Sequence, residues 1–336
     1  MGLTDNLPPF PGDVPTVPIA RISYAKLASL DANEMANTLK AVQTDGFFYL
    51  DLADHATGQT LLKEAVNVLE VSQDAFNLSE EEKMKFRAEK GKSMFGYKPK
   101  GTVKKTDKDL RPDATEFFNI AKDHLLGNCE SRTYPSQLTK HWEDLKTFTK
   151  DSHALGIFVL RILAGQLGIP LDSFADKNKI DSLSGDHIRI TKKAPHDPSL
   201  DVIGLPSHTD FGSVTVLFNW LGGLQIQSHD PAKQGVWAFV KPLPGCAIIN
   251  LGDAMVKFSN GHLKSAKHRV VPAPGSQAHV DRYSLVYFLR PADDVVMQPV
   301  ERYRDEPIVA VGGKVGEEKV YTAGEWMTRR MQHMSK

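Results

Sequence analysis

The sequence has few cysteines, a formal net charge of zero and no long apolar run. Its two cysteines, Cys129 and Cys246, lie far apart without CxxC spacing, which argues against a disulfide framework and favours a reducing compartment. Lys plus Arg and Asp plus Glu both number 41, so no excess charge attracts nucleic acid or an anionic membrane. No stretch of about 18 apolar residues exists, and the first residues lack a signal-peptide pattern. We therefore expect a soluble cytoplasmic protein, a monomer or weak dimer, whose partner is a small molecule.

The first half of the chain is patterned mainly for helices. Apolar residues at helical spacing and one capping box predict helices at 31–45, 57–76, 79–85 and 136–167. Shorter apolar runs predict strands at 17–22, 47–50 and 115–120. The basic segment from Gly91 to Arg111 shows neither pattern. We interpret it as a loop that either stays solvated or covers an active site.

The second half changes character. Short β-rich segments separated by turn signals are predicted at 187–191, 214–218, 223–227, 236–240, 246–250, 268–271 and 283–289. Many short strands at close spacing are typical of a sandwich, a barrel or a jelly roll. The stretch from Ala323 is helical again. We expect the helices to pack on one β core.

Three His-x-acid pairs are candidates for a metal site: His141/Glu143, His208/Asp210 and His279/Asp281. With 12 histidines in the chain, one or two such pairs are expected by chance. The first pair falls in a predicted helix, where residues two apart face different ways, and the third has a single histidine downstream. The second pair leads into an apolar strand, and on an extended backbone residues two apart face the same side. We therefore favour the second pair.

His268, at the start of a later predicted strand, offers a third ligand. Two imidazoles and one carboxylate on one face of an ion leave three positions open, as in non-haem Fe(II) oxygenases. Zinc accepts the same ligands, although the HExxH motif of many zinc hydrolases is absent. A purely structural role for these side chains is also open at this point.

Arg282 and Ser284 share one face of a predicted strand. A guanidinium beside a hydroxyl is a good receptor for a carboxylate, because the guanidinium fork binds it bidentately. A structural salt bridge is the alternative. Beside a candidate iron site, the pair indicates an acidic co-substrate anchored at its far end.

Six stretches agree in order and spacing with one known family: 205–213 (LPSHTDFGS), 222–226 (GGLQI), 250–253 (NLGD), 259–261 (SNG), 264–270 (KSAKHRV) and 282–284 (RYS). They resemble the isopenicillin N synthase-like group of Fe(II)/2-oxoglutarate-dependent dioxygenases. In the first half, 46–50 and 76–79 are similar to the family's N-terminal helical region. Within the group, the chain is similar to fungal and bacterial members that include thymine-oxidising enzymes.

The resemblance implies a mainly β fold with flanking helices. Its core would be a double-stranded β-helix (jelly roll), with an N-terminal helical region and a C-terminal helix. We expect a single oxygenase domain over 1–336. Within it, 1–180 would form the helical region with short strands, 181–296 the jelly-roll core with the metal site, and 297–336 a C-terminal extension.

The resemblance also implies the cofactors Fe(II), 2-oxoglutarate and O2. His208, Asp210 and His268 match the iron ligands, and Arg282 and Ser284 match the pair that grips the distal carboxylate of 2-oxoglutarate. No catalytic residue beyond the iron ligands is implied. The stretch 250–253 would shape a turn.

One departure from the family pattern concerns the strand before the HxD segment. Family members often have Asn-x-Tyr there, and the Tyr helps to hold 2-oxoglutarate. Thr191 and Lys193 stand at these positions. We expect both to contribute to the co-substrate site, with a solvent-facing Lys193 as the alternative.

The implied reaction oxidises an unactivated C–H bond of a small organic molecule, by hydroxylation, desaturation or ring formation. A specialised metabolite is the expected substrate, in a pocket lined by Phe95, Tyr97, Phe118 and Phe211. Three alternatives stay open: an iron oxidase of the same fold that uses no 2-oxoglutarate, a zinc hydrolase, and a catalytically inactive β-core binding module.

Overall fold

The fold is taken from a computed structural model, which describes residues 6–89, 91–102, 113–195, 204–227, 235–307 and 320–334. Within these ranges the strands are β1 (Arg21–Ser23), β2 (Phe47–Asp51), β3 (Gly96–Lys98), β4 (Thr115–Ala121), β5 (His187–Lys193), β6 (Leu205–His208), β7 (Val214–Asn219), β8 (Leu224–Gln227), β9 (Trp237–Phe239), β10 (Cys246–Leu251), β11 (His268–Val270) and β12 (Arg282–Leu289). The helices are α1 (Tyr24–Ala28), α2 (Ala32–Thr44), α3 (Ala56–Phe76), α4 (Glu80–Met84), α5 (Lys122–Leu126), α6 (Ser136–Thr139), α7 (Trp142–Gln166), α8 (Asp172–Ala175), α9 (Asp253–Phe258) and α10 (Ala323–Met334).

The strands form two sheets. The larger sheet has the order β1-β2-β10-β7-β12-β5-β4-β3, and the smaller has the order β6-β11-β8-β9. Neighbouring strands are antiparallel except for β1 and β2. Residues of both sheets line one cavity. This is the jelly-roll core with flanking helices that the sequence predicts.

Strand β12 runs through the middle of the larger sheet and is buried on both faces. Side chains alternate along a strand, so Leu285, Tyr287 and Leu289 face the helical layer and belong to the main apolar core. Helix α7 contacts β7 and β12 on that side. Gly156 allows the close approach, because a Cβ there would lie 2.7 Å from Cδ2 of Leu289.

The opposite face of β12 and its neighbours lines the cavity. Ser284 lies opposite Thr191 of β5 and Asn219 of β7. The helical layer therefore supports the sheet from behind and leaves the inner face for polar side chains.

Two sequence signals for helix ends are confirmed. Ser79 and Glu82 form both bonds of a capping box at α4. Gly46 follows α2 with φ +69° and donates its N–H to the carbonyl of Ala41 at 3.2 Å, as expected of a glycine after a helix end.

Two predicted segments differ from the structure. The helix predicted at 136–167 is divided into α6 and α7. The predicted loop from Gly91 contains β3, which pairs with β4. A three-residue edge strand carries no periodic pattern, so the sequence could not reveal it. Residues 103–111 of that loop lie outside the described residues, and its role as a lid stays a prediction.

No helix in the described ranges is both long and apolar enough to cross a membrane. The division into 1–180, 181–296 and 297–336 within one domain stays a prediction.

Candidate active site

Three potential metal ligands meet where β6, the edge strand of the smaller sheet, pairs with β11. His208 ends β6 and lies opposite His268, which begins β11. Asp210 follows two residues later, on the way to β7. Its Oδ1 is 3.8 Å from Nε2 of His208 and 3.7 Å from Nε2 of His268, and the three ligand atoms all lie within 4.8 Å of one another. An ion about 2 Å from each atom would bridge these gaps.

Both imidazoles are oriented by backbone carbonyls. Nδ1 of His208 is 2.8 Å from the oxygen of Pro206, and Nδ1 of His268 is 3.2 Å from the oxygen of Ala266. A carbonyl only accepts hydrogen bonds, so each Nδ1 carries the proton and each Nε2 presents its lone pair to the centre. Burial and the neighbouring His268 lower the pKa of His208 to about 4, so this ligand is neutral at pH 7.

The carboxylate of Asp210 is held by two neighbouring strands. Its Oδ2 accepts hydrogen bonds from Thr215 Oγ1 and Asn250 Nδ2, both at 2.7 Å, and these two residues lie opposite each other on β7 and β10. Oδ1 is thereby left to face the imidazoles. Burial alone would raise the pKa of Asp210, but the two imidazoles and these hydrogen bonds outweigh burial and bring it to about 2. The ligand is therefore an anion at neutral pH.

The stretch 250–253 does more than shape a turn. Besides the contact from Asn250, the N–H of Asp253 donates to the carbonyl of Asp210 at 2.8 Å. A Cβ on Gly252 would lie 2.2 Å from the oxygen of Gly212, so only glycine permits this approach of two backbones. The turn fixes the loop that presents the carboxylate.

The predicted co-substrate residues form two directly opposed pairs on β5 and β12. Arg282 lies opposite Lys193, and Ser284 lies opposite Thr191. Nε of the buried Arg282 donates to the carbonyl of Gly222 at 2.6 Å, which aims the guanidinium. Arg282, Ser284 and Thr191 line the same cavity as the three metal-ligand candidates.

Lys193 does not face solvent, because only 3% of its surface is exposed. Among the described residues its Nζ has no hydrogen-bond partner. With Arg282 it lines a smaller cavity that is separate from the main one. Burial first, and the charge of Arg282 second, lower the pKa of Lys193 to about 8. A buried ammonium without a partner fits an anionic ligand.

The walls of the main cavity are mostly apolar, and its charged groups are Asp210, Arg189 and Arg282. The sequence analysis missed Arg189, Phe117 and Phe288, which all line it. Strand alternation was the signal that could have found Arg189, since it stands two residues before Thr191 on β5.

The structure corrects the predicted pocket aromatics, since none of the four lines the cavity. Tyr97 and Phe118 are fully buried in the main core with ring centroids 5.0 Å apart. Phe118 is directed there because side chains alternate along β4, so its neighbour Phe117 faces the cavity. The other two pack elsewhere: Phe95 against the rings of His124 and His187, and Phe211 against Trp326 and Arg330.

Of the three His-x-acid pairs, only His208/Asp210 joins a third potential ligand within the described ranges. His141 lies at the start of α7 rather than inside a helix, and contacts Asp144 at 3.3 Å. Asp281 pairs with Lys192 at 3.3 Å. A jelly-roll cavity with two imidazoles and one carboxylate is the arrangement of non-haem iron oxygenases.

Comparisons with known proteins give the same class. A sequence model of the 2OG-Fe(II) oxygenase superfamily matches residues 185–291, and one of the N-terminal region of non-haem dioxygenases in morphine synthesis matches residues 14–144. The chain is 30% identical to a 2-oxoglutarate-dependent dioxygenase of Aspergillus fumigatus, over 98% of this chain and 89% of that protein. It is 34% identical to the 2-oxoglutarate-dependent dioxygenase frbH of a Dothideomycetidae species, over 83% and 84% respectively.

Solved structures share the fold. A full-length Neurospora crassa protein in complex with alpha-KG has a TM-score of 0.75 at 23% identity, covering 94% of this chain and 96% of that one. A putative 2OG-Fe(II) oxygenase family protein from Caulobacter crescentus has a TM-score of 0.75 at 24% identity, covering 95% and 100%. The chain belongs to the 2OG-Fe(II) oxygenase superfamily. It is a 2-oxoglutarate-dependent dioxygenase, and its His-Asp-His set fits iron.

Replacing Asn250 with Ala removes one of the two hydrogen bonds that turn Oδ1 of Asp210 toward the imidazoles. We expect metal affinity to fall about tenfold to a hundredfold, as for other partners of ligating carboxylates. Anaerobic calorimetric titration with Fe(II) measures it. Asn37→Ala, at an exposed position on α2, is the matched control. Unchanged affinity in a folded Asn250→Ala protein would show that the carboxylate does not need this contact.

Proposed function

We propose that His208, Asp210 and His268 bind the catalytic iron, and that Arg282 and Ser284 bind the distal carboxylate of 2-oxoglutarate. The observation that supports this most directly is that both sets line a single cavity. Three protein ligands leave coordination positions for the co-substrate and O2. When bound, iron would supply the oxidising chemistry with O2 as the oxidant and 2-oxoglutarate as the co-substrate, which leaves as succinate and CO2.

The chain's own residues then have three tasks. The backbone-oriented imidazoles and the anchored carboxylate hold their donor atoms in place, so little rearrangement is needed on metal binding. Arg282, aimed by Gly222, fixes the far end of the co-substrate. Apolar side chains such as Phe117, Val270 and Phe288 keep water from the reacting C–H bond.

Thr191 and Lys193 complete the co-substrate site in this proposal. Thr191 places a hydroxyl opposite Ser284, and Lys193 places an ammonium beside Arg282. Two cations at one end of the site suit a dianionic co-substrate. The Lys would compensate for the absent Tyr of the family pattern as a second positive charge.

For the substrate, we propose a small organic molecule of specialised metabolism. The mostly apolar walls of the cavity, with a few polar groups among them, suit such a molecule. A relative from Citrus sinensis, 26% identical over 87% of this chain and 88% of its own length, is named kihadalactone A synthase. Hydroxylation, desaturation and ring formation all fit this site.

Arg282→Gln tests the co-substrate assignment. Loss of the positive charge from a buried carboxylate-binding site weakens the binding free energy by about 2–4 kcal/mol. We therefore expect the KM for 2-oxoglutarate to rise at least about thirtyfold. Succinate release with Fe(II) measures this KM, and Arg161→Gln, at an exposed position, is the control.

Substrate turnover without succinate release would favour the oxidase alternative. Activity with zinc but not iron would favour a hydrolase. Ligand binding without turnover, equal in the wild type and in His208→Ala, would favour a binding module.

Lys193 predicts a pH dependence of 2-oxoglutarate binding. The ammonium form attracts the carboxylate, so affinity should be full below the pKa of about 8 and fall as the pH rises through it. We expect a loss of up to about tenfold toward pH 9, measured by anaerobic calorimetry with Mn(II) in place of iron.

In Lys193→Met this pH dependence should disappear, with weaker binding at neutral pH. Lys192→Met is the matched control, because Lys192 is the adjacent lysine and pairs with Asp281. A pH profile that is the same in Lys193→Met and in the wild type would contradict the role of Lys193.

A further inference from the structure

Arg189 is a cation in the main cavity to which the co-substrate assignment gives no role. It lies on the cavity face of β5, opposite Asn119 of β4 and Val286 of β12. Its guanidinium carbon is 4.3 Å from the ring centroid of Phe117 and 5.0 Å from that of Phe288. These rings flank the guanidinium and direct it into the cavity.

The hydrogen-bonding capacity of Arg189 is mostly unused. A guanidinium has five N–H donors. Among the described residues, Arg189 makes one side-chain hydrogen bond, from Nε to Oδ1 of Asn119 at 2.9 Å. Within the described ranges, Arg189 forms no ion pair. The side chain is only partly buried, and it lines the cavity, so its remaining donors are within reach of a ligand.

The surroundings make this positive charge unfavourable without an anion. Burial and the nearby Arg290 lower the pKa of Arg189 to about 10, although Asp210 opposes this shift. Arg290 also lies 5.6 Å from the ring centroid of Phe288. Its Nη1 donates to the weakly accepting sulfurs of Met94 and Met327.

The charges of the filled site leave Arg189 unbalanced. In the filled site, Fe(II) would bring two positive charges and Arg282 and Lys193 one each, against one negative charge on Asp210 and two on 2-oxoglutarate, so no negative charge is left for Arg189. Arg189 stands two residues from Thr191 and four from Lys193 along β5, which places its Cα atom about 7 Å and about 13 Å from theirs. It therefore lies on the other side of Thr191 from Lys193 and Arg282.

We propose that Arg189 is the substrate anchor and that it binds a carboxylate carried by an otherwise apolar substrate. Phe117 and Phe288 would pack against the apolar body of that substrate, next to the anchored group. The guanidinium fork would fix its orientation toward the metal ligands. The inference deepens the proposed function and rests on it, because it treats this cavity as the substrate site.

The test uses pairs of small acids and their uncharged amides of equal shape: cinnamate with cinnamamide, 2-naphthoate with 2-naphthamide, and phenylacetate with phenylacetamide. Binding is measured by calorimetry, anaerobically, with Fe(II) and 2-oxoglutarate present, so no turnover is needed. A charge-assisted bidentate contact predicts that at least one acid binds about tenfold to a hundredfold more tightly than its amide. No acid preference in any pair would overturn the proposal.

Arg189→Gln should reduce this preference to within about threefold, while Arg189→Lys should keep part of it. Arg161→Gln should behave as the wild type. An acid preference that survives in Arg189→Gln overturns the proposal. If Arg189→Gln also binds 2-oxoglutarate more weakly while the preference survives, Arg189 belongs to the co-substrate site instead. If Arg189→Gln does not fold, Arg189→Lys and the wild-type pairs decide. Failure of metal or 2-oxoglutarate binding in the wild type would instead refute the proposed function.

Discussion

The buried carboxylate of Asp210 links the fold to the chemistry. One oxygen is fixed by Thr215 and Asn250, which lie opposite each other on adjacent strands of the larger sheet. The other oxygen faces two imidazoles that pair across the smaller sheet. The three potential metal ligands thus come together only when both sheets are assembled in register, and a slip of one residue would turn Thr215 or Asn250 to the wrong face.

The alternation of side chains along each strand also determines which residues face the cavity. Along β5, Arg189, Thr191 and Lys193 face inward, and β12 places Arg282 and Ser284 opposite the last two. A row of cationic and hydroxyl groups therefore extends along β5 from Arg189 in the main cavity to Lys193 beside Arg282. The alternate residues of β12 pack against α7, so a rigid helical layer supports the polar row.

The sequence predicted the parts that local pattern determines. The structure brings His208, Asp210 and His268 together. Their grouping could be predicted because a His-x-acid pair leads into an apolar strand and a further histidine stands at the start of another. Phe118 was misjudged because a run of two aromatics does not reveal which one faces inward; pairing with β5 decides it. Arg189 was missed because its two aromatic neighbours, from β4 and β12, come from distant parts of the chain. The burial of Lys193 likewise depends on tertiary packing.

The most direct test is a crystal soaked anaerobically with Fe(II) and 2-oxoglutarate. We predict one iron about 2.0–2.3 Å from Nε2 of His208, Oδ1 of Asp210 and Nε2 of His268. The distal carboxylate of 2-oxoglutarate should lie against Arg282 and Ser284. Iron bound through other side chains, or a co-substrate whose distal carboxylate lies away from Arg282, would contradict it.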